Sequence, residues 1–287
     1  MISSGLARSM DLRIFAFEKV TVGTWWNYPR CTSPFTRAYL VEDGEQVVKH
    51  GGLTYRNKPG MLYLIPPFVP VDYSCRNRCT QYYAVFKATL DDGGDLCASY
   101  SFDYAVKATP SHYKLARHIT REVPDFGLRI YDAHVPDYNK LIWENDSRIN
   151  PEQTLMLQGL LRILLAPFMK TAVHQPDKSR LSALSHYMDQ HVGSPLTLSD
   201  LAAEAKLNPT YLSDLYKTHF GIRPLDYLRR KRLDKAQALL LSGNHTVEEI
   251  SHLSGFEDAS YFFKVFKKNT GMTPFQFKEK GRRKQFI

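Results

Sequence analysis

Thr197-Leu198-Ser199-Asp200-Leu201-Ala202 and Thr246-Val247-Glu248-Glu249-Ile250-Ser251 carry one pattern twice, 49 residues apart. Each opens on a threonine with an acid three residues on, the reciprocal cap that starts a helix. Each then places apolar side chains at matching steps, Leu198 with Leu201 and Val247 with Ile250. Small residues follow, Ala202 and Ala205 in one copy, Ser251 and Ser254 in the other, which let a second helix approach closely. After a tight turn, Asn208-Pro209 and Glu257-Asp258 restart a helix. Its inward residues are expected to be Leu212, Leu215 and Tyr216 in the first copy and Phe262, Val265 and Phe266 in the second. Gly221 with Pro224, and Gly271 with Pro274, close the two copies at an offset of 50.

Two short helices around a tight turn describe a helix-turn-helix, whose second helix enters the DNA major groove. One such spacing is common in all-α domains. Two copies with matched caps and closures make a specific signal. Between them Pro224 to Leu241 reads as a connecting helix ending near Gly243, with Leu225, Leu228, Leu233, Ala236 and Leu240 inward. Such a rod would hold two groove readers about one helical turn apart, roughly 34 Å, on one face of a duplex. Its run Arg229-Arg230-Lys231-Arg232 reads as a solvated face.

On the second helix of each copy, side chains off the apolar stripe are free to meet DNA. These are Thr210, Ser213, Asp214 and Lys217, then Ser260, Tyr261, Phe263, Lys264 and Lys267. Lys264 can donate to guanine, and Asp214 can accept from cytosine N4 or simply face solvent near Lys217. Lys267 and Lys268 suit phosphates. Asp258 reads first as a helix cap. The tail Lys278, Lys280, Arg282, Arg283, Lys284 is expected to be either disordered or a salt-sensitive phosphate contact.

The rest of the chain is built differently. Its 287 residues suit two domains, and 43% hydrophobic with 23% charged residues excludes wholesale disorder. The formal net charge is +9. Residues 176–287 hold 18 Lys/Arg against 12 Asp/Glu, and residues 1–175 hold 20 against 17, so an anion-binding surface is expected in the smaller half. Short apolar runs punctuated by Gly and Pro indicate strands at Leu12–Phe17, Phe35–Glu42, Glu45–His50, Leu53–Arg56, Met61–Ile65, Val69–Tyr73 and Tyr82–Ala88, an all-β sandwich or barrel. Helices are expected at Pro110 to Arg121 and from Asn150, with Pro167 ending or kinking the latter. The stripe Leu157, Leu160, Leu161, Leu164, Leu165 and Phe168 serves either the core or a homodimer seam. Gln175-Pro176-Asp177-Lys178 is the linker candidate. The fold class is therefore α+β: a β-barrel with associated helices in residues 1–175, and an all-α domain of two helix-turn-helix units in residues 176–287.

Around these motifs the chain resembles the AraC/XylS transcription regulators, closely over about Leu181 to Lys280. The motifs are Leu198-x-x-Leu201-Ala202, Gly255-Phe256-Glu257-Asp258, Tyr261-Phe262-x-x-Val265-Phe266-Lys267-Lys268 and Gly271-Met272-Thr273-Pro274-Phe275. More loosely, Gly60-Met61-Leu62-Tyr63-Leu64-Ile65-Pro66-Pro67-Phe68-Val69-Pro70 is similar to the strand-and-turn signature of the family's cupin-like effector domain. The resemblance implies base-facing positions at Thr210, Ser213 and Asp214 in the first unit and at Ala259, Ser260, Phe263 and Lys264 in the second. Asp214 departs from the family habit of a basic or amide group there. It also implies a small effector, often a sugar. Trp25, Trp26, Tyr28, Arg37, Tyr39, Tyr63 and Tyr83 could supply aromatic walls and a charged handle.

The expected function is a sequence-specific DNA-binding regulator, cytoplasmic and not an enzyme, with double-stranded DNA as partner, and RNA polymerase too if it activates. A cupin metalloenzyme is the rival reading. Val71 stands where the family often has His, and His50 has no His neighbour, so neither metal nor other cofactor is expected. A sequence-nonspecific architectural DNA binder is the second rival. A repair methyltransferase would need a zinc cysteine cluster, and Cys31, Cys75, Cys79 and Cys97 do not offer that spacing. Reduced thiols, no membrane span and no leader segment are expected.

Overall fold

The computed structural model describes residues 10–91, 93–128, 142, 145, 148–242 and 245–285. The chain divides into two compact units, Met1–Ser182 and Ala183–Ile287.

The first unit is built on antiparallel strands: β1 (Asp11–Gly23), β2 (Asn27–Cys31), β3 (Thr36–Gly44), β4 (Gln46–His50), β5 (Leu53–Asn57), β6 (Met61–Ile65), β7 (Val71–Ser74), β8 (Arg78–Thr89), β9 (Tyr100–Ser101), β10 (Ala105–Lys107) and β11 (Val173–His174). A five-stranded sheet runs β1-β8-β3-β6-β10, and a four-stranded sheet runs β2-β7-β4-β5. Strands β9 and β11 pair separately. The larger sheet is buried on both faces, which explains its nearly continuous apolar sequence. Ala38, Leu40, Tyr82, Ala84 and Phe86 point one way, into a core shared with helices α2 (Pro110–Glu122) and α3 (Pro151–Leu165). Tyr39, Val41, Cys79, Tyr83 and Val85 point the other way, into the core against the smaller sheet. A one-residue slip of β8 would exchange the two sets, so the register is tightly specified.

Asn150 caps α3, accepting from the Gln153 amide at 2.8 Å. All six residues of the leucine stripe are buried in the helix-side core. At Pro167 the α-helix gives way to a 3-10 segment, Ala166–Thr171. A short helix α1 (Leu96–Ser99) precedes β9. The candidate linker is corrected: Pro176 opens helix α4 (Pro176–Gln190), and the boundary between the compact units falls inside that helix. Proline at a first helical position costs no intrahelical bond, so Gln175 to Lys178 initiates a helix rather than a coil.

In the second unit follow α5 (Leu198–Glu204), α6 (Pro209–Phe220), α7 (Pro224–Ser242), α8 (Val247–Leu253), α9 (Ala259–Thr270) and α10 (Pro274–Gln285). The expected end of the connecting helix near Gly243 lies outside the described residues. Among the described residues, no helix is long and apolar enough to cross a membrane.

The repeat is exact in its backbone chemistry. Thr197 and Thr246 each accept from the amide three residues on at 3.2 Å, while Asp200 and Glu249 each accept from the threonine amide, at 2.8 and 2.7 Å. Those bonds to the threonines hold both carboxyls below their usual range. Asn208 and Asp258 cap α6 and α9, accepting from Tyr211 and Tyr261 at 2.8 and 2.9 Å. Gly221 and Gly271 end the same helices at φ 75° and 73°.

The second turn is one residue longer than the first, and the residue at its left-handed position differs. Both place a left-handed residue after the first helix: Lys206 at φ 52° in one copy, Gly255 at φ 83° in the other. A Cβ on Gly255 would lie 2.4 Å from the Val192 carbonyl oxygen. Gly255→Ala is therefore expected to cost at least about 1–3 kcal/mol, strain plus a backbone clash. Lys206→Gly should instead be neutral or stabilise by at most about 1 kcal/mol. Chemical denaturation of the two variants checks this. Equal effects would show that the second turn is not crowded.

Candidate nucleic-acid interface

The second helix of each copy presents a mixed row. In α6, Thr210, Asp214 and Lys217 are exposed, with Tyr211 beside them. Ser213 is corrected: it is buried, and its Oγ accepts from Arg223 Nη1 at 2.6 Å. Leu215, expected inward, is only half-buried, and Phe220 is buried in its stead. The helix is thus rolled toward its Ser213 side. Asp214 does not use Lys217 as expected in one reading; its Oδ1 lies 3.7 Å from Arg223 Nη1.

In α9, Ser260, Tyr261, Lys264, Lys267 and Lys268 are exposed and Ala259 is half-buried. Phe263 is half-buried as well, its ring 5.9 Å from Phe262 and 6.0 Å from Phe275, so its bulk supports the helix rather than standing clear of it. Tyr211 and Tyr261 hold the same position in the two copies, and each is 48% exposed. Sequence reasoning named Tyr261 and passed over Tyr211, although the repeat offset pairs them.

The basic run on α7 is corrected too. Arg229 pairs with Asp226, Lys231 with Asp189 at 3.1 Å, and Arg232 donates to the carbonyls of Val192 and Ser194 at 3.2 and 2.7 Å. Only Arg230 of the four is exposed. Lys231 and Arg232 hold the α7 helix against the end of α4 and the segment before α5, while the Arg229 pair stays within α7. Leu225, expected inward, is 41% exposed, and Tyr227 is buried with its hydroxyl donating to Asp189 at 2.9 Å. Burial pushes the Tyr227 phenol well up, so it stays a donor at any working pH. In the tail, Lys278 donates to the His245 carbonyl at 2.8 Å. The backbone is helical to Gln285, and the side chains from Lys280 onward lie outside the described residues.

The candidate effector residues lie in the first unit. Trp26, Arg37, Tyr39, Tyr63 and Tyr83 are buried, Tyr28 is half-buried, and Trp25 is 52% exposed. Arg37 donates to the Tyr73 hydroxyl at 2.6 Å, and Tyr39 donates to the same oxygen at 3.3 Å. Trp26 packs edge-on against Tyr28 and Tyr73. Tyr63 instead bonds the backbone at Arg56 and Lys58, and Tyr83 bonds Glu18 and the Leu128 amide, so their hydroxyls are committed to structure. Sequence reasoning missed four polar residues that alternate inward: Gln46 with Gln81 at 2.6 Å, Tyr73, and Asn57, whose amide is buried with no hydrogen-bond partner for either polar atom. The signal was period-2 polarity inside strands already assigned. Among the described residues, no three His, Cys, Asp or Glu side chains gather as a metal site would require.

His50 is buried, stacked on Tyr55 at 4.7 Å, and desolvation followed by the nearby Arg37 charge lowers its pKa to about 4. Below pH 6.5 the unfolded chain binds a proton that the folded barrel refuses until about 4, so stability falls as pH drops through that window. Asp95 opposes this: burial lifts its carboxyl to about 6, so its contribution is complete below 3.8 and is lost as pH rises through 6. His50→Gln is therefore expected to lose less melting temperature between pH 7.5 and 5 than the unsubstituted chain. An equal loss would mean that the imidazole is not held neutral.

One unit carries paired capped helices with exposed polar rows, and the other a double sheet that encloses Gln46, Gln81, Arg37 and Asn57 among its apolar side chains. Residues 16–129 match the family model of the AraC-like ligand binding domain, and residues 201–280 match that of a helix-turn-helix domain. The chain is 30% identical over 141 residues to the uncharacterized HTH-type transcriptional regulator YijO of Escherichia coli, covering 47% of this chain and 49% of that one. It is 30% identical over 142 residues to the HTH-type transcriptional activator RhaR of Yersinia pseudotuberculosis, again covering 47% and 49%. The chain spans about half the length of these curated relatives. Among solved structures, the C-terminal domain of the response regulator yesN from Fusobacterium nucleatum is 38% identical, covering 33% of this chain and 93% of that one at a TM-score of 0.32. ToxT from Vibrio cholerae is 11% identical, covering 94% and 97% at 0.36.

Proposed function

We propose that this chain is a sequence-specific DNA-binding transcription regulator whose two helix-turn-helix units read neighbouring major-groove segments. The observation that carries the reading is the duplicated cap-turn-cap framework, which leaves Thr210, Asp214 and Lys217 exposed on one second helix and Ser260, Tyr261 and Lys264 on the other. Lys267 and Lys268 supply phosphate contacts that add affinity without sequence information. The chain acts by binding, as its relatives named as regulators do, and not by catalysis.

The first unit takes a small polar effector between its sheets, where Arg37, Tyr39, Tyr73 and Asn57 offer donors, acceptors and aromatic faces. A carbohydrate suits that mixture. To regulate, the effector must favour one arrangement of the protein over another. The protein works in the cytoplasm, as a homodimer in the active form, and meets RNA polymerase when it activates.

Selection of duplexes from a random library by the full chain, followed by footprinting, tests the DNA reading. The expected result is protection of two segments about one helical turn apart. Equal affinity for selected and random duplexes, with a steep salt dependence, would replace it with architectural binding. Thermal-shift screening against sugars and other metabolites tests the effector, since a ligand of the folded state raises the melting temperature.

A further inference from the structure

The two copies differ in where they keep a positive charge. At the recognition-helix position where the second copy carries Lys264, the first carries Asp214. Nine residues later, just before the closing proline, the second copy carries Thr273 and the first carries Arg223. Thr273 behaves as a plain helix start: its amide donates to Gln276 Oε1 at 2.9 Å, and its Oγ1 accepts from the Gln276 amide at 3.3 Å. Arg223 does something else. Its side chain reaches back onto α6, bonding the buried Ser213 Oγ at 2.6 Å and approaching Asp214 at 3.7 Å, while remaining 52% exposed.

We propose that Arg223, although it lies outside the recognition helix, is a DNA-contacting residue of the first unit and does there what Lys264 does in the second. This rests on the DNA-binding reading. Three features support it. Ser213 and Asp214 fix the guanidinium beside the exposed row of α6, so little side-chain freedom is lost on binding. Both described contacts run through Nη1, while a guanidinium offers five donors in a planar fork. And without Arg223 the first row would present the Asp214 carboxylate to a polyanion at the position where the second presents the Lys264 cation.

The pair with Asp214 is too exposed and too long to matter much for folding. Its use is positional: Asp214 aims a cation it does not neutralise by a close hydrogen bond. The group taken is a pair of acceptor oxygens or an oxygen with a ring nitrogen, supplied by a phosphate or by a guanine edge.

The experiment measures binding of the full-length chain to a duplex recovered by its own selection, over a range of salt, with single-base variants of that duplex. Arg223→Ala is expected to weaken binding about tenfold. If the source is phosphate, the loss is the same for every duplex and the salt slope falls by about 1. If the source is guanine, the loss is confined to one position of the first half-site. Ser213→Ala removes the buried bond and keeps the charge, so it separates structure from contact. The proposal expects Ser213→Ala to lower the melting temperature while keeping the salt slope and base preference. Lys264→Ala is the control for the placement of the recognition helices. If Lys264→Ala weakens binding and Arg223→Ala does not, or if Ser213→Ala reproduces every effect of Arg223→Ala, Arg223 is structural and the proposal fails alone. If the full chain selects no duplex, the DNA-binding reading fails and takes this proposal with it; if it selects one and neither Lys264→Ala nor Arg223→Ala changes binding, the placement of both recognition helices fails, and this proposal with it.

Discussion

Phe262→Ala is expected to destabilise the helical unit by about 3–5 kcal/mol, the range for deleting a fully enclosed aromatic ring. Phe262 has no exposed surface and packs against Phe256 at 5.1 Å and Phe266 at 5.5 Å, in a core that also contains Leu233, Ala236, Leu240, Val247 and Ile250. Those residues come from α7, α8 and α9, so the cavity loosens every helix of the second copy at once. Thermal or denaturant unfolding followed by circular dichroism measures the loss. Footprinting of the variant should show protection retained at one segment and lost at the other. A melting temperature within a degree of the unsubstituted chain would mean that this ring is not the centre of the core.

Lys264→Ala should relax base preference at one position and weaken the selected duplex by about 5- to 150-fold, the span of 1–3 kcal/mol for a good base contact. Lys267→Ala should weaken all duplexes alike, with a salt slope lower by about 1. Both lysines are exposed, but they stand one turn apart, and Lys267 lies in the last turn of α9. Competition binding against single-base variants distinguishes them. Identical behaviour of the two variants would mean that the second recognition helix meets DNA in some other orientation.

How far the sequence reveals this molecule depends on how local each determinant is. The repeat could be read because caps, turns and closing glycines act within four residues: Thr197 on Asp200, Asn208 on Tyr211, Gly221 at the end of α6. Most strands of the first unit follow from apolar runs between Gly and Pro. The short β2, with Pro29 inside it, and β9 to β11 do not, since two or three residues paired across a long separation carry no period of their own. The burial of Ser213 was hidden for the same reason. Its partner lies ten residues on, across a turn, and a lone serine beside an apolar stripe looks solvent-facing. The basic run of α7 misled in the opposite sense, because its partners Asp189, Val192 and Ser194 lie about forty residues earlier. In the effector barrel, aromatic and charged residues were visible as types, but the pairing of Arg37 with Tyr73 joins strands 36 residues apart.

The unequal turns of the repeat make exchange between the copies a one-way matter. The first turn already tolerates a full side chain at Lys206, so grafting the Ser254-Gly255 pair into it asks nothing of its surroundings. The reverse graft would drive a lysine stem into the Val192 carbonyl. Recombination or engineering can therefore copy sequence from the downstream unit into the upstream one far more freely than back again, and chimeric regulators assembled from these halves should be built in that direction.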